Sequence, residues 1–285
     1  MKYQIHGQSR IGHRSVNQDR IAWRATNEAI LMVVADGMGG HAHGEVAAQI
    51  AVDYISDAFE HQAKPALADP FLFLAQCFNG AHVAIARVAG LRKLSEVPRT
   101  TCVACVIQDG LAHWVHAGDA RLYLLRDGRI LQRSRDHTRI QLMLEQGLID
   151  EAGAKTHPDR HRVYSCLGGG TSEGGESPQM DFSAKTPLLP GDVVALCSDG
   201  VWGPAGDHRL VRRLTEAPPS HSVVQLLDDA EHKAGGHADN LSLIALRWET
   251  PSPYAAQLGS PSDEDIEHAI DQIRGIIRPL QKTAQ

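Results

Sequence analysis

The sequence predicts an α+β fold in which two antiparallel sheets lie face to face with helix pairs packed outside them. Three observations carry this. Runs of strand length, most of them rich in Val, Ile and Leu, recur at 30–35, 101–107, 112–116, 121–125, 129–134, 192–197 and 241–248. Two pairs of helical stretches interrupt them, at 45–60 with 70–89 and at 207–216 with 220–233. The order is strands, helix pair, strands, helix pair, strand, without the β-α-β alternation of a parallel sheet.

Each element has its own reason. The run 30–35 is continuously apolar and stops at Asp36-Gly37. In the helical stretch 45–60, Val46, Ile50, Tyr54 and Ala58 share a face with Phe59 beside it. Residues 112–134 read as an antiparallel meander, and Asp109-Gly110 and Asp127-Gly128 read as hairpin turns. Residues 147–190 are loop-rich and hold Gly168-Gly169-Gly170 and Gly174-Gly175, the marks of a lid or recognition flap. Flexibility suits those glycines better than a phosphate cradle, and Arg160 and Arg162 in the same flap read as solvating surface charges. Residues 1–250 form the main domain and 251–261 a Pro/Ser-rich linker. Over 262–285 a tail helix opens at Ser262-Asp263-Glu264-Asp265, carries Ile266, Ile270, Ile273 and Ile277 on one stripe, and stops at Pro279.

Composition excludes several classes. The 285 residues carry 28 Lys+Arg against 34 Asp+Glu, net −6, with no basic run, so nucleic acid is not the expected partner. No uninterrupted apolar stretch nears ~18 residues, so no membrane span is expected. The first residues lack an apolar secretory core, and the five cysteines are odd in number and scattered; both point to reduced thiols in a cytoplasmic protein. Cys102 and Cys105 sit three apart on one strand-like run, which turns their thiols to opposite faces and disfavours a shared metal. His41-Ala42-His43 lacks the partners of a zinc site. No Cys-x5-Arg phosphatase loop and no G-x4-G-K-[ST] nucleotide loop occurs.

The chemistry lies in four segments that place aspartate at a strand end or turn: Arg14-Ser15-Val16-Asn17-Gln18-Asp19, Asp36-Gly37-Met38-Gly39-Gly40-His41, Ser198-Asp199-Gly200 and Asp239-Asn240. Asp36 and Asp199 directly follow apolar strands, so their carboxylates are held rigidly where solvent begins. The glycine after each lets the backbone approach a ligand, so that a carbonyl can join the carboxylate. Such an oxygen-rich set suits a hard divalent ion, Mg²⁺ or Mn²⁺.

Taken in order, R-x-x-N-Q-D, D-G-M-G-G-H, G-D-A-R at 118–121, D-H-T at 136–138, S-D-G and D-N resemble the type 2C, metal-dependent family of protein serine/threonine phosphatases in its bacterial form. The match runs from about residue 5 to 248. The resemblance implies a four-layer α-β-β-α sandwich with a binuclear metal centre at one edge of the sheets. It implies that Asp36 bridges both ions, that the Gly37 carbonyl ligates one, and that Asp199 and Asp239 complete the other. Asp19 would hold metal-bound water, Arg14 the substrate phosphate, and Asp119 with Asp199 a third, weaker ion. His41 matches a histidine of the bacterial pattern, either as proton donor to the leaving oxygen or as an orderer of the metal-binding loop.

The chemistry implied is attack on phosphorus by a water that two Mg²⁺ or Mn²⁺ ions share and acidify. Arg14 offers a planar fork matching two phosphoryl oxygens. The expected substrates are phosphoserine and phosphothreonine proteins, with a Ser/Thr kinase as opponent. A non-catalytic phosphoprotein-binding module on the same fold is the alternative. Three residues depart from the pattern: Gln18 for glutamate, expected to bond a metal water and lower metal affinity; Arg99 for glycine, at a strand edge near the site; and Ala120 for serine.

Overall fold

A strand buried on both faces must be apolar throughout, and Ala29–Gly37 is the clearest case: its residues from Ala29 to Ala35 are all fully buried. The structure, a computed structural model, describes residues 1–38, 43–159, 162–169 and 177–254. In chain order the described strands are β1 (Tyr3–Arg10), β2 (Asp19–Ala25), β3 (Ala29–Gly37), β4 (Arg99–Gln108), β5 (Leu111–Ala117), β6 (Arg121–Arg126), β7 (Arg129–Arg133), β8 (Leu167–Gly168), β9 (Asp181–Phe182), β10 (Thr186–Pro187), β11 (Val193–Cys197) and β12 (Leu241–Trp248). The helices are α1 (Gly44–Gln62), α2 (Pro70–Leu91), α3 (Arg139–Glu145), α4 (Glu151–Thr156), α5 (Asp199–Ala205), α6 (Asp207–Glu216) and α7 (Pro219–Ala234). The chain divides at Thr250 into a unit Met1–Thr250 and a second, Pro251–Gln285. The tail helix expected over 262–285 lies outside the described residues, as does most of the linker.

One sheet runs β1-β12-β11-β6-β7 and the other β10-β5-β4-β3-β2, with β8 added to β4 and β9 to β5. Side-chain alternation sorts the core into three apolar layers. Leu31, Val33 and Ala35 point outward with Cys102, Ala104 and Val106 onto α1 and α2, meeting Ala47, Ala51, Ile55, Phe78 and Ile85. Ile30, Met32 and Val34 point inward with Cys105 and Ile107 onto Leu122, Leu124, Val194, Leu196, Ile244 and Leu246 of the facing sheet. That sheet's other face, including Tyr123, Leu125, Ala195 and Leu243, is covered by Val201, Leu210, Leu214, Val223 and Leu226. The result is the α-β-β-α sandwich. Each fully buried Leu or Ile contributes about 1.5–3 kcal/mol, so the middle layer alone is a large share of the stability. Cys102 and Cys105 fall in different layers, as their spacing requires, and the cysteines are unpaired.

Two readings of the sequence change, the course of residues 112–134 and the buried face of helix α1. Residues 112–134 are not one meander: β5 belongs to one sheet and β6–β7 to the other, and the chain crosses between them at Gly118-Asp119-Ala120. Helix α1 buries Ala47, Ala48, Ala51, Val52, Ile55 and Phe59, while Tyr54 is 41% exposed. The face of small residues wins because it lets the helix sit close to the sheet. Strands β1 and β2 edge their sheets, are only partly buried and carry many polar residues, so they form no apolar run. Helix α2 is long and apolar enough to cross a membrane by length and composition, although Gln76, Asn79, His82 and Arg87 interrupt its apolar residues. Its Phe73, Leu74, Phe78, Ala81 and Ile85 belong to the outer core. The turns at Asp109-Gly110 and Asp127-Gly128 have positive φ at both residues, the geometry that favours tight hairpins.

Candidate metal centre

The register of the two sheets brings the aspartates to one edge. Asp19, the first residue of β2, lies directly opposite Asp36 near the end of β3. The Asp36 carbonyl accepts from Thr100 Oγ1 at 2.9 Å, and the Gly37 N–H donates to the Gln18 carbonyl at 3.2 Å. A Cβ on Gly37 would overlap the Gly44 backbone and come within 2.8 Å of the Gln18 carbonyl oxygen, so only glycine lets the loop and α1 approach. From the other sheet, β11 ends at Cys197 and Ser198 precedes α5, whose first residue is Asp199. The Ser198 hydroxyl does not cap that helix; it donates to Asp19 Oδ2 at 2.7 Å and accepts the Ser242 N–H at 3.0 Å. This bond ties the two sheets together beneath the cluster. Asp119 enters from the crossing turn, where Gly118 adopts φ +109° against Thr101.

Asn240 holds the segment carrying Arg14. Its Oδ1 accepts the Gln18 N–H at 2.8 Å, and its Nδ2 donates to the carbonyls of Ile11 at 2.8 Å and Val16 at 3.1 Å. Arg14 thereby hangs over Asp239 and donates from Nη2 to Oδ2 at 2.6 Å. Both partners are partly exposed, with 55% and 39% of their side chains open to solvent. The Arg14 fork is at the site and already occupied in part by a carboxylate.

Negative charge concentrates here. Burial pushes the Asp36 carboxyl well above its usual range, and the charges of Asp19, Asp199, Asp119 and Asp239 push it further. Burial raises Asp119 in the same way, with Asp199 and Asp136 adding to it. Asp19 is pushed up to about 7, chiefly by burial and against the pull of the Ser198 and Ser242 hydroxyls. Asp19 Oδ1 is buried without a hydrogen-bond partner, and the donor set is oxygen throughout. Those features fit hard divalent cations.

The structure thus gathers Asp19, Asp36, Gly37, Asp119, Asp199, Asp239 and Arg14 at one edge, while His41 lies outside the described residues. Gln18 turns its amide to Glu45, with Nε2 3.3 Å from Oε2. Arg99 opens β4 opposite Gly168, and its carbonyl accepts the Met38 N–H at 3.1 Å, so the glycine-to-arginine departure falls at the base of the metal loop. Ala120 is buried between the sheets. Ser198 and Asn240 stand inside the quoted motifs without a local signal of their bridging roles, and nothing in the sequence marks Trp202, whose Nε1 donates to the Asp119 carbonyl at 3.0 Å.

Comparison with known proteins agrees with this geometry. Residues 6–235 match the family model of protein phosphatase 2C. The serine/threonine protein phosphatase PstP of Mycobacterium tuberculosis is 30% identical over 236 residues, covering 81% of this chain and 44% of that protein, so the chain spans less than half of that relative's length. The Listeria monocytogenes serine/threonine phosphatase stp is 29% identical over 67% of this chain and 74% of its own. Among solved structures, the M. tuberculosis PstP/Ppp phosphatase superposes with TM-score 0.74 at 29% identity over 87% of this chain and 99% of that one. The PstP catalytic domain in complex with two manganese ions gives 0.72 at 27% identity, again over 87% and 99%. With the family model covering most of its length, and the aspartates gathered where its motifs require, this chain belongs to the protein phosphatase 2C family.

Proposed function

We propose that residues 1–250 are a metal-dependent protein serine/threonine phosphatase domain acting on phosphoserine and phosphothreonine proteins. The observation that carries this is the convergence of Asp19, Asp36, Asp119, Asp199 and Asp239 from both sheets, with Asp36 at the centre of their field. Asp36, the Gly37 carbonyl, Asp199 and Asp239 would hold two Mg²⁺ or Mn²⁺ ions. Asp119 with Asp199 would serve a third, weaker ion, and Asp19, held by Ser198, would accept from ion-bound water. When bound, such ions acidify water and neutralise charge on a phosphoryl group. Arg14 presents two parallel donors to phosphoryl oxygens and exchanges its bond to Asp239 for them. Ser198 and Thr100 keep the carboxylate of Asp19 and the carbonyl of Asp36 from drifting. His41 would either donate the proton to the leaving oxygen or order its loop.

Phosphoproteins are the partners, and a Ser/Thr kinase supplies them. The unpaired cysteines support a reducing, cytoplasmic setting. Residues 147–190 would form a substrate-facing flap. A purely phosphoprotein-binding module is disfavoured by a complete set of carboxylates. Purified protein should hydrolyse p-nitrophenyl phosphate and a phosphothreonine peptide with Mn²⁺ and stop in EDTA. Asp36→Asn should lose about a thousandfold or more, several kcal/mol of charge stabilisation. No turnover with any divalent ion would defeat the proposal.

A further inference from the structure

His116, His137 and Asp181 bring one donor atom each within 4.8 Å of one another, which invites a second cation site. Proton bookkeeping rejects it. His137 Nδ1 accepts the Gly118 N–H at 3.2 Å, so the neutral ring carries its proton on Nε2, which then has no lone pair for a metal. That N–H faces Asp181 Oδ2 at 3.3 Å. The two imidazoles also stack, centroids 4.6 Å apart and 28° from parallel, so their in-plane lone pairs run side by side and do not converge.

The same contacts say what His137 does. Its ring nitrogen takes the Gly118 N–H, and its own backbone N–H donates to the Gly118 carbonyl at 2.9 Å, so one residue holds both backbone polar atoms of Gly118. Gly118 sits at φ +109°, a conformation that gives the next residue its direction. The His137 ring cannot swing away: it lies between His116 and Tyr164, whose centroid is 5.4 Å off, and only 1% of the residue is exposed. On the far side of the turn the Trp202 indole holds the Asp119 carbonyl, and Arg121 stacks 3.4 Å over that indole while pairing with Asp136, the neighbour of His137.

We infer that His137 is a positioning residue that fixes Gly118 from both sides, its ring on the Ala117-Gly118 peptide and its backbone N–H on the Gly118-Asp119 peptide, and so holds the Asp119 carboxylate in the metal centre. The inference rests on the proposed phosphatase reading, in which Asp119 serves the weaker ion. Loss of the Nδ1 acceptor should weaken that ion's hold without altering how phosphate is gripped.

Three substitutions test this. His137→Phe keeps the ring stack and removes the acceptor; His137→Asn loses the stack and keeps an acceptor near the Nδ1 position; His137→Gln carries its amide past that position. His137→Phe should raise the Mn²⁺ concentration for half-maximal p-nitrophenyl phosphate turnover about tenfold, the worth of roughly one buried hydrogen bond. KM for p-nitrophenyl phosphate should stay within about twofold, since Arg14 is untouched. In ion-free protein the Gly118 amide should exchange with solvent faster by a similar factor. His137→Asn should restore most of both readouts, and His137→Gln should behave as His137→Phe, which also covers the case in which the phenylalanine variant does not fold. Wild-type Mn²⁺ dependence and Gly118 exchange in His137→Phe or His137→Gln would overturn the inference, as would His137→Asn failing equally. If wild-type protein shows no Mn²⁺-dependent turnover the phosphatase reading falls, while the Gly118 exchange and Mn²⁺ calorimetry still decide the role of His137.

Discussion

Replacing Asp19 by asparagine should stabilise the ion-free protein, and the gain should grow with pH. Burial holds the Asp19 carboxyl up to about 7 against an ordinary 3.8. The folded chain therefore keeps a proton that the unfolded chain releases above about pH 4. Stability from that proton is fully present below the unfolded value and is lost as pH rises through the folded one, at about 1.4 kcal/mol per pH unit between them. For Asp19 alone the loss is of order 4 kcal/mol by neutral pH. Asp36 and Asp119, held well above the usual carboxylate range, continue the decline at higher pH. The buried His82, His113 and His116, lowered chiefly by burial, oppose it only below about pH 6.5, so the useful window lies above that. Urea unfolding in EDTA should show wild-type stability falling between pH 6.5 and 8, by about 1 kcal/mol from Asp19 and further as Asp36 and Asp119 give up their protons. Asp19→Asn should fall less and exceed wild type by about 3 kcal/mol or more at pH 8. Millimolar Mn²⁺ should remove most of the wild-type decline, because bound cations replace the retained protons. Ion-free stability that is level or rising across this window, or Asp19→Asn weaker than wild type at pH 8, would mean that the folded chain does not retain the Asp19 proton.

Three other expectations follow from single contacts. Arg14→Ala should lower kcat/KM about 10- to 100-fold, mostly through KM, because it removes a charge-assisted fork to phosphate; steady-state kinetics with a phosphothreonine peptide would measure it. Arg126 grips Asp192 through both carboxylate oxygens at 2.9 and 2.7 Å, and the Asp192 side chain is only 1% exposed. Arg126→Ala strands that charge and should cost about 3–5 kcal/mol in urea unfolding. Thiol titration of native protein should find Cys166 the first to react: Cys77, Cys102, Cys105 and Cys197 are buried, and burial alone pushes Cys77 up to about 12.

Asp36 and Asp199 were legible because each ends an unbroken apolar strand, and that pattern alone marks where the core stops. Asp19 was not legible in that way. Its strand, Asp19–Ala25, lies on a sheet edge and alternates too weakly, so only the ordered motifs indicated the residue. Asp119 was found in the right motif with the wrong surroundings, since antiparallel runs linked by short turns look alike whether they share a sheet or change sheets. Helix α5 escaped notice because Gly200, Gly203 and Pro204 all disfavour helix, yet it carries both Asp199 and Trp202. The partners that steady the centre, Ser198, Asn240 and His137, act through register between segments far apart in sequence, and no local pattern encodes register.

The first and last strands of Met1–Thr250 are neighbours, with Tyr3 opposite Trp248 and Arg10 opposite Leu241. Their shared ladder begins at the ion-binding edge beside Asn240 and runs about 25 Å away from it, at some 3.3 Å per residue. Rewiring this unit is therefore straightforward. A circular permutant that joins Trp248 to Tyr3 through a short bridge and opens at Asp127-Gly128 keeps every ladder intact. A reporter or affinity module spliced at that distal corner would leave the mouth of the centre unobstructed.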